Sequence, residues 1–241
     1  MVRTISDLWI LVPSYIAGST KEMKFEEIKN NKEILAFLKK GNENLGILGF
    51  TDHSEAHCML VADRAAHILK TLVYKEKEIE LARIAGFMHD IGNAINRVNH
   101  AENGAILANE LLKDTPLSLT DRVTVVSAIG HHDESTGGAT DAVSAALIIA
   151  DKTDVRRNRV RQYKEKASID IHARVDFAVT SANLRINTEK KVITLNLQID
   201  ENICTMYDYF DIFLGRMMMC RKAAEILGFR FKLTANGSKV L

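Results

Sequence analysis

A chain of 241 residues with 46% apolar and 26% charged side chains can bury one large core, and it is neither disordered nor fibrous in composition. With 32 Lys and Arg against 31 Asp and Glu the net charge is +1, so no global field argues for a nucleic-acid polymer or a membrane surface as partner. Cys58, Cys204 and Cys220 form neither a disulfide framework nor a CxxC zinc ribbon, and three scattered thiols fit a reducing, cytoplasmic compartment. The apolar run from Leu8 to Ala17 contains Pro13, is too short to span a bilayer and lacks the flanks of a secretory leader.

With only Pro13 and Pro116 to interrupt it, the chain favours long helices. Residues 22–40 are amphipathic through Ile28, Ile34, Leu35 and Leu38, and the Gly- and Asn-rich stretch 41–49 predicts a loop. Val61, Ala65, Ile68 and Leu72 predict a helix over 54–72. Further helices are expected over 78–89, 102–112, 121–129 (with Thr120 as N-cap) and 141–155. After Ala167 the period changes. Phe177, Val179, Leu184 and Ile186, then Ile193, Leu195, Leu197 and Ile199, alternate with polar or small residues and predict a hairpin turning over 187–191. A last helix over 204–227 ends at Gly228, and Phe229, Phe231 and Leu233 suggest one further strand. The expected architecture is mostly α: an N-terminal helical segment (1–49), a helical core (50–166) and a small C-terminal α+β region (167–241).

Several polar residues do not belong on the faces that carry them. His57 shares the stripe of Val61, Ile68 and Leu72, with His53 one turn earlier. Asp151 shares a face with Leu147 and Ala150, where a carboxylate needs a cation or several donors. The apolar run from Ile84 to Met88 leads directly into His89-Asp90 and directs that pair inward. His100 follows at a helix start, and His131-His132 at a helix end. Imidazoles and carboxylates gathered from several helices are the ligand set of divalent iron, manganese, cobalt, nickel or zinc. His67 and His172 fall outside this pattern.

The order His57, His89-Asp90-Ile91-Gly92, Asp151 resembles the HD-domain metal-dependent phosphohydrolase superfamily over roughly 50–161. The resemblance implies His57, His89, Asp90 and Asp151 as the minimal metal ligands, with Asp90 bridging two ions. It also implies His53, His100, His131 and His132 as additions of a binuclear or larger centre, so two or more metals per chain. The His doublet is similar to that of the HD-GYP branch, but the residues from Asp133 to Gly138 contain no Gly-Tyr-Pro, and cyclic dinucleotide hydrolysis is not carried over.

The expected chemistry is attack of a metal-activated hydroxide on a phosphate mono- or diester of a nucleotide or small phosphorylated metabolite. Lys152 and Arg156 are candidates to bind the phosphate. Asp154 is placed to orient a ligand or pair with an arginine, and Glu134 or His132 to protonate the leaving group. Alternatives on the same scaffold are a di-iron oxygenase and a non-catalytic ligand-binding module. The C-terminal region could cover the site or mediate a homodimer.

Overall fold

A computed structural model describes residues 25–161 and 171–240, and the side chains of Ile171 and His172 are not included. The run from Leu8 to Ala17 and the boundary at 166/167 lie outside these residues. The chain begins with α1 (Phe25–Lys29) and α2 (Lys32–Ile47), the latter capped by Asn31, whose side chain accepts from the amides of Glu33 and Ile34. The helical core follows as α3 (Glu55–Thr71), α4 (Glu76–Met88), a single 3-10 turn (Ile91–Ala94), α5 (His100–Leu111), α6 (Leu119–Gly130) and α7 (Ala142–Lys152). No helix among the described residues is long and apolar enough to cross a membrane.

Helix α7 is the axis. Every residue from Val143 to Ala150 is buried, as expected of a helix apolar all round, and it packs against α3, α4 and α6. Only its C-terminal end is charged, at Asp151 and Lys152. Two glycines bring the neighbouring backbones close to that end. A Cβ on Gly86 of α4 would lie 2.7 Å from the Cα of Ala62 on α3, so only glycine allows this crossing. A Cβ on Gly92 would lie 2.0 Å from the carbonyl oxygen of His100, so the start of α5 can press onto the 3-10 turn. The first contact draws His57 towards His89; the second draws His100 towards Asp90.

The C-terminal region contains α8 (Ile171–Ala178), β1 (Val179–Asn187), β2 (Val192–Ile199), α9 (Met206–Ile226), β3 (Arg230–Ala235) and β4 (Ser238–Lys239). The sheet order is β1-β2-β3-β4. β2 and β3 run parallel, with α9 as the connecting crossover, and the other two pairs are antiparallel. Ile193, Leu195 and Leu197 stand opposite Phe231, Leu233 and Ala235, all buried. Helix α9 packs on both β3 and α7, joining the sheet to the helical core.

Four expectations need correction. Residues 41–47 are helix, not loop: Gly41 faces the backbone of Asn93 and Ala94, and Asn44 donates to the carbonyls of Asn93 (3.4 Å) and Ala94 (3.2 Å). The small and amide residues there serve a close tertiary contact, and the turn is made later, at Gly49 with φ +87°. The α6 cap is Ser118, which accepts from the amide of Asp121, rather than Thr120. Helix α7 stops at Lys152, short of Val155. Phe177 belongs to the helix α8, because the eight residues before Val179 wind up against α9 instead of extending.

Gly86→Ala should lower stability by roughly 1–3 kcal/mol through overpacking against α3. Gly215→Ala, in α9 with open space around it, should raise it by roughly 0.5–1 kcal/mol. Thermal melts of both variants at matched metal content check the contrast in sign.

Candidate metal centre

His57 from α3, His89 at the C-cap of α4, Asp90 just beyond it and Asp151 near the end of α7 meet in the interior. The first three are almost fully buried. The Nε2 atoms of His57 and His89 lie 3.6 and 3.1 Å from Asp90 Oδ2, and 3.5 and 3.6 Å from Asp151 Oδ1. Each imidazole is held from behind. His89 Nδ1 donates to the carbonyl of Gly86 at 2.8 Å, and His57 Nδ1 to the carboxylate of Asp154 at 2.8 Å. Carbonyls and ionised carboxylates only accept, so Nδ1 carries the hydrogen in both rings. A neutral ring then turns a bare Nε2 lone pair into the cluster.

The front atoms have no hydrogen-bond partner among the described residues. His57 Nε2, His89 Nε2 and Asp90 Oδ2 are buried without a hydrogen bond, the condition that a bound ion relieves. Nitrogen and oxygen ligands sit roughly 2.0–2.2 Å from such an ion, and their mutual spacing is then roughly 3–3.5 Å, as in this cluster. His57, His89 and Asp151 form one group that could hold a metal; His89, Asp90 and His132 form a second, overlapping one. The donor set suits a divalent transition ion.

Electrostatics points the same way. Burial would raise the carboxyl of Asp90, yet His89, His53 and His57 hold it well below the usual range. Burial acts likewise on Asp151, where Lys152 and then the two imidazoles outweigh it. His89 shows the converse: burial lowers it, but Asp90 and Asp151 push it up to about 10. The cluster therefore favours a cation strongly enough to retain a proton when it has nothing else.

The remaining histidines divide. His132 is buried, its Nδ1 donates to the carbonyl of Ile129 at 2.6 Å, and burial, with His89 and Lys152, drives it down to about 3. Its ring meets those of His89 and His100, each with centroids 5.0 Å away. His100 Nε2 lies 3.8 Å from Asp90 Oδ1, and its Nδ1 3.6 Å from Asp133. His53 lines the same pocket with Nδ1 on the carbonyl of Thr51, its ring 5.6 Å from that of His57. His131 does not join them. It is exposed and bonded to the carbonyl of Ser127, because adjacent residues at a helix end point about 100° apart and the doublet can turn only one ring inward. His67 is exposed beside Thr71, away from the site.

The charged rim also departs from expectation. Lys152 is buried and pairs with Asp151 Oδ2 at 2.9 Å and Glu134 Oε2 at 2.7 Å. Glu134 also accepts from Nε of Arg216 at 3.0 Å. Burial would raise the Glu134 carboxyl, but Lys152 and Arg216 hold it far below its usual range. Arg156 does not line the pocket; its guanidinium bonds the Asp154 carboxylate instead. Asp154 does both things its spacing suggested, since it holds the back of His57 and pairs with Arg156. Sequence alone did not single out Asn93, whose amide donates to Asp90 Oδ1 at 2.9 Å, or the pocket residues Arg97, Asp176 and Arg216. Asn93, the residue directly after His89-Asp90-Ile91-Gly92, could have been suspected. Arg216 lies far along the chain with no local pattern to mark it.

A helical core built around this His and Asp cluster is the architecture of a metal-dependent hydrolase, and the model of the HD domain family matches residues 55–175, half of the chain. The protein belongs to the HD-domain family, a superfamily of metal-dependent hydrolases that bind divalent metals. An uncharacterized protein of Methanocaldococcus jannaschii is 27% identical over 194 residues, covering 71% of this chain and 74% of that protein.

Two outcomes test the centre. Asp154→Asn should weaken metal binding roughly 10- to 100-fold in a chelator competition, because His57 loses the anion that fixes its tautomer. His89 must shed its proton to ligate, and its pKa of about 10 lies above the unfolded 6.5. Metal affinity should therefore rise with pH across that window, with proton release measurable by calorimetry in buffers of different ionisation enthalpy. In the metal-free protein the same shift contributes stability that is complete below pH 6.5 and lost as pH climbs through about 10.

Proposed function

We propose that this protein is a metal-dependent phosphohydrolase cleaving a phosphate mono- or diester of a nucleotide or small phosphorylated metabolite. The observation that carries this reading is the convergence of three partnerless buried ligand atoms, on His57, His89 and Asp90, beside a lysine ammonium inside a pocket. His57, His89, Asp90 and Asp151 would hold the metal, with His132, His100 and His53 available on the side of the pocket. Asp90 favours a centre of two ions, because Oδ2 faces His57 and His89 while Oδ1 lies towards His100. A divalent ion supplies Lewis acidity towards a phosphoryl oxygen and acidifies an attacking water.

The chain's own residues do the remainder. Lys152 keeps its proton, because Asp151 and Glu134 outweigh the effect of its burial, and it offers a fixed positive charge beside the ligand Asp151. Glu134 holds that ammonium from the other side and ties it to Arg216 of α9. The pair of carboxylates restricts where the ammonium can point, so its charge is aimed before substrate arrives. Asn93 donates to Asp90 Oδ1 and sets the rotation of that carboxylate.

His89→Ala and Asp90→Ala should each remove bound metal and abolish hydrolysis of an aryl phosphate assayed with manganese or cobalt. Metal analysis and turnover are to be measured on the same samples. Full activity with unchanged metal in either variant would sink the reading.

A further inference from the structure

Four cationic side chains line the pocket, and three of them are already committed. Lys152 is clamped by Asp151 and Glu134, and Arg216 by Glu134. Arg159 donates to the carbonyls of Asp52 and Asp154 and so holds the loop before α3 to the segment after α7. Arg97 is different. Among the described residues it has no carboxylate within ion-pair distance. One Nη meets His100 Nε2 at 3.3 Å, and the guanidinium lies over the ring of Phe50 with 5.5 Å to the centroid.

The loop that carries Arg97 is fixed. The amides of Ile95 and Asn96 bond to the carbonyl of Gly92, the amide of Val98 to the side chain of Asn96, and Asn99 takes the left-handed conformation that starts α5. A guanidinium has five N–H groups in a planar fork, and the single bond to His100 leaves most of them free. It is also set beside a cluster whose own chemistry attracts cations. Two positive centres at such a range repel, unless an anion lies between them and reverses the sign. A planar fork beside a metal-attracting cluster fits a phosphate oxygen pair better than any group the described residues supply.

We propose that Arg97 is a substrate-binding residue that takes the non-bridging oxygens of the substrate phosphate, from the His100 side of the pocket. Its bond to His100 Nε2 is a resting contact that the guanidinium would exchange for the phosphate oxygens. The inference rests on the phosphohydrolase reading for its substrate, but its anion-binding content can be measured without turnover.

The test uses the metal-loaded protein, with inorganic phosphate as the probe, in calorimetric titrations of wild type, Arg97→Ala, Arg97→Lys and the surface control Arg221→Ala. Metal content is determined in parallel. Arg97→Ala is expected to weaken phosphate roughly tenfold or more with metal content unchanged, Arg97→Lys to fall between, and Arg221→Ala to match wild type. Phosphate affinity within about twofold of wild type in Arg97→Ala would overturn the assignment, with aryl phosphatase activity left to judge the wider reading separately. Loss of metal together with phosphate would also overturn it, by making Arg97 a support for the centre. A wild type that binds no phosphate overturns it outright. Arg97-dependent phosphate binding by a protein that hydrolyses no ester would keep this assignment and defeat the phosphohydrolase reading.

Discussion

An ionised carboxylate, that of Asp90, sits almost fully buried where α3, α4, α5 and α7 approach one another, and the surrounding architecture follows from what that burial requires. An isolated charge in such a place would protonate or unfold the site. Here Asn93 satisfies one oxygen, and imidazoles from separate helices face the other. Those imidazoles can help only if their rings are pinned, which is why His57, His89 and His132 each have an acceptor behind Nδ1. Pinning in turn requires helices at fixed separation, and Gly86 and Gly92 provide the closest approaches. A divalent ion is the partner that this sequence of requirements still lacks within the protein itself.

The charged residues around the ion site form an ordered alternation. Arg216 meets Glu134, Glu134 meets Lys152, Lys152 meets Asp151, and Asp151 meets His57 and His89. Each buried charge is therefore compensated by a neighbour of opposite sign, and removing any one leaves the next uncompensated. The alternation begins on α9, outside the family-matched segment of residues 55–175. The α+β region is thus connected to the centre through a specific ion pair, as well as through the packing of α9 on α7.

What could be read from the sequence was the part governed by local rules. Helical periodicity marked the core helices, and alternation marked β1, β2 and β3, because both report which face is buried. His57 and Asp151 stood out because a polar residue on an apolar stripe is anomalous wherever the stripe ends up. The errors share one physical cause. Gly41 and Asn44 looked like a turn because their reason for being small or amide-bearing lies some 50 residues away, at Asn93 and Ala94. His131 and Arg156 looked like site residues by adjacency, yet the helix end turns His131 outward and Asp154 captures Arg156. Glu134 could be placed near the site but not assigned a proton, since its ionisation is decided by Lys152 and by Arg216, 82 residues later.

The division of labour within the pocket explains why chemistry is more legible here than substrate. Residues that hold the ion must be buried, pinned from behind and drawn from the tightly packed helices, so their positions leave periodic traces in the chain. Residues that meet the substrate are held to weaker conditions. Arg97, to which such a role is proposed above, stands on a loop and needs only to present donors to the opening. A position of this kind, outside the chain of ion pairs that runs from Arg216 to Asp151, can change without disturbing the Asp90 cluster. A scaffold of this kind can therefore keep one reaction centre while its rim is altered to accept different substrates.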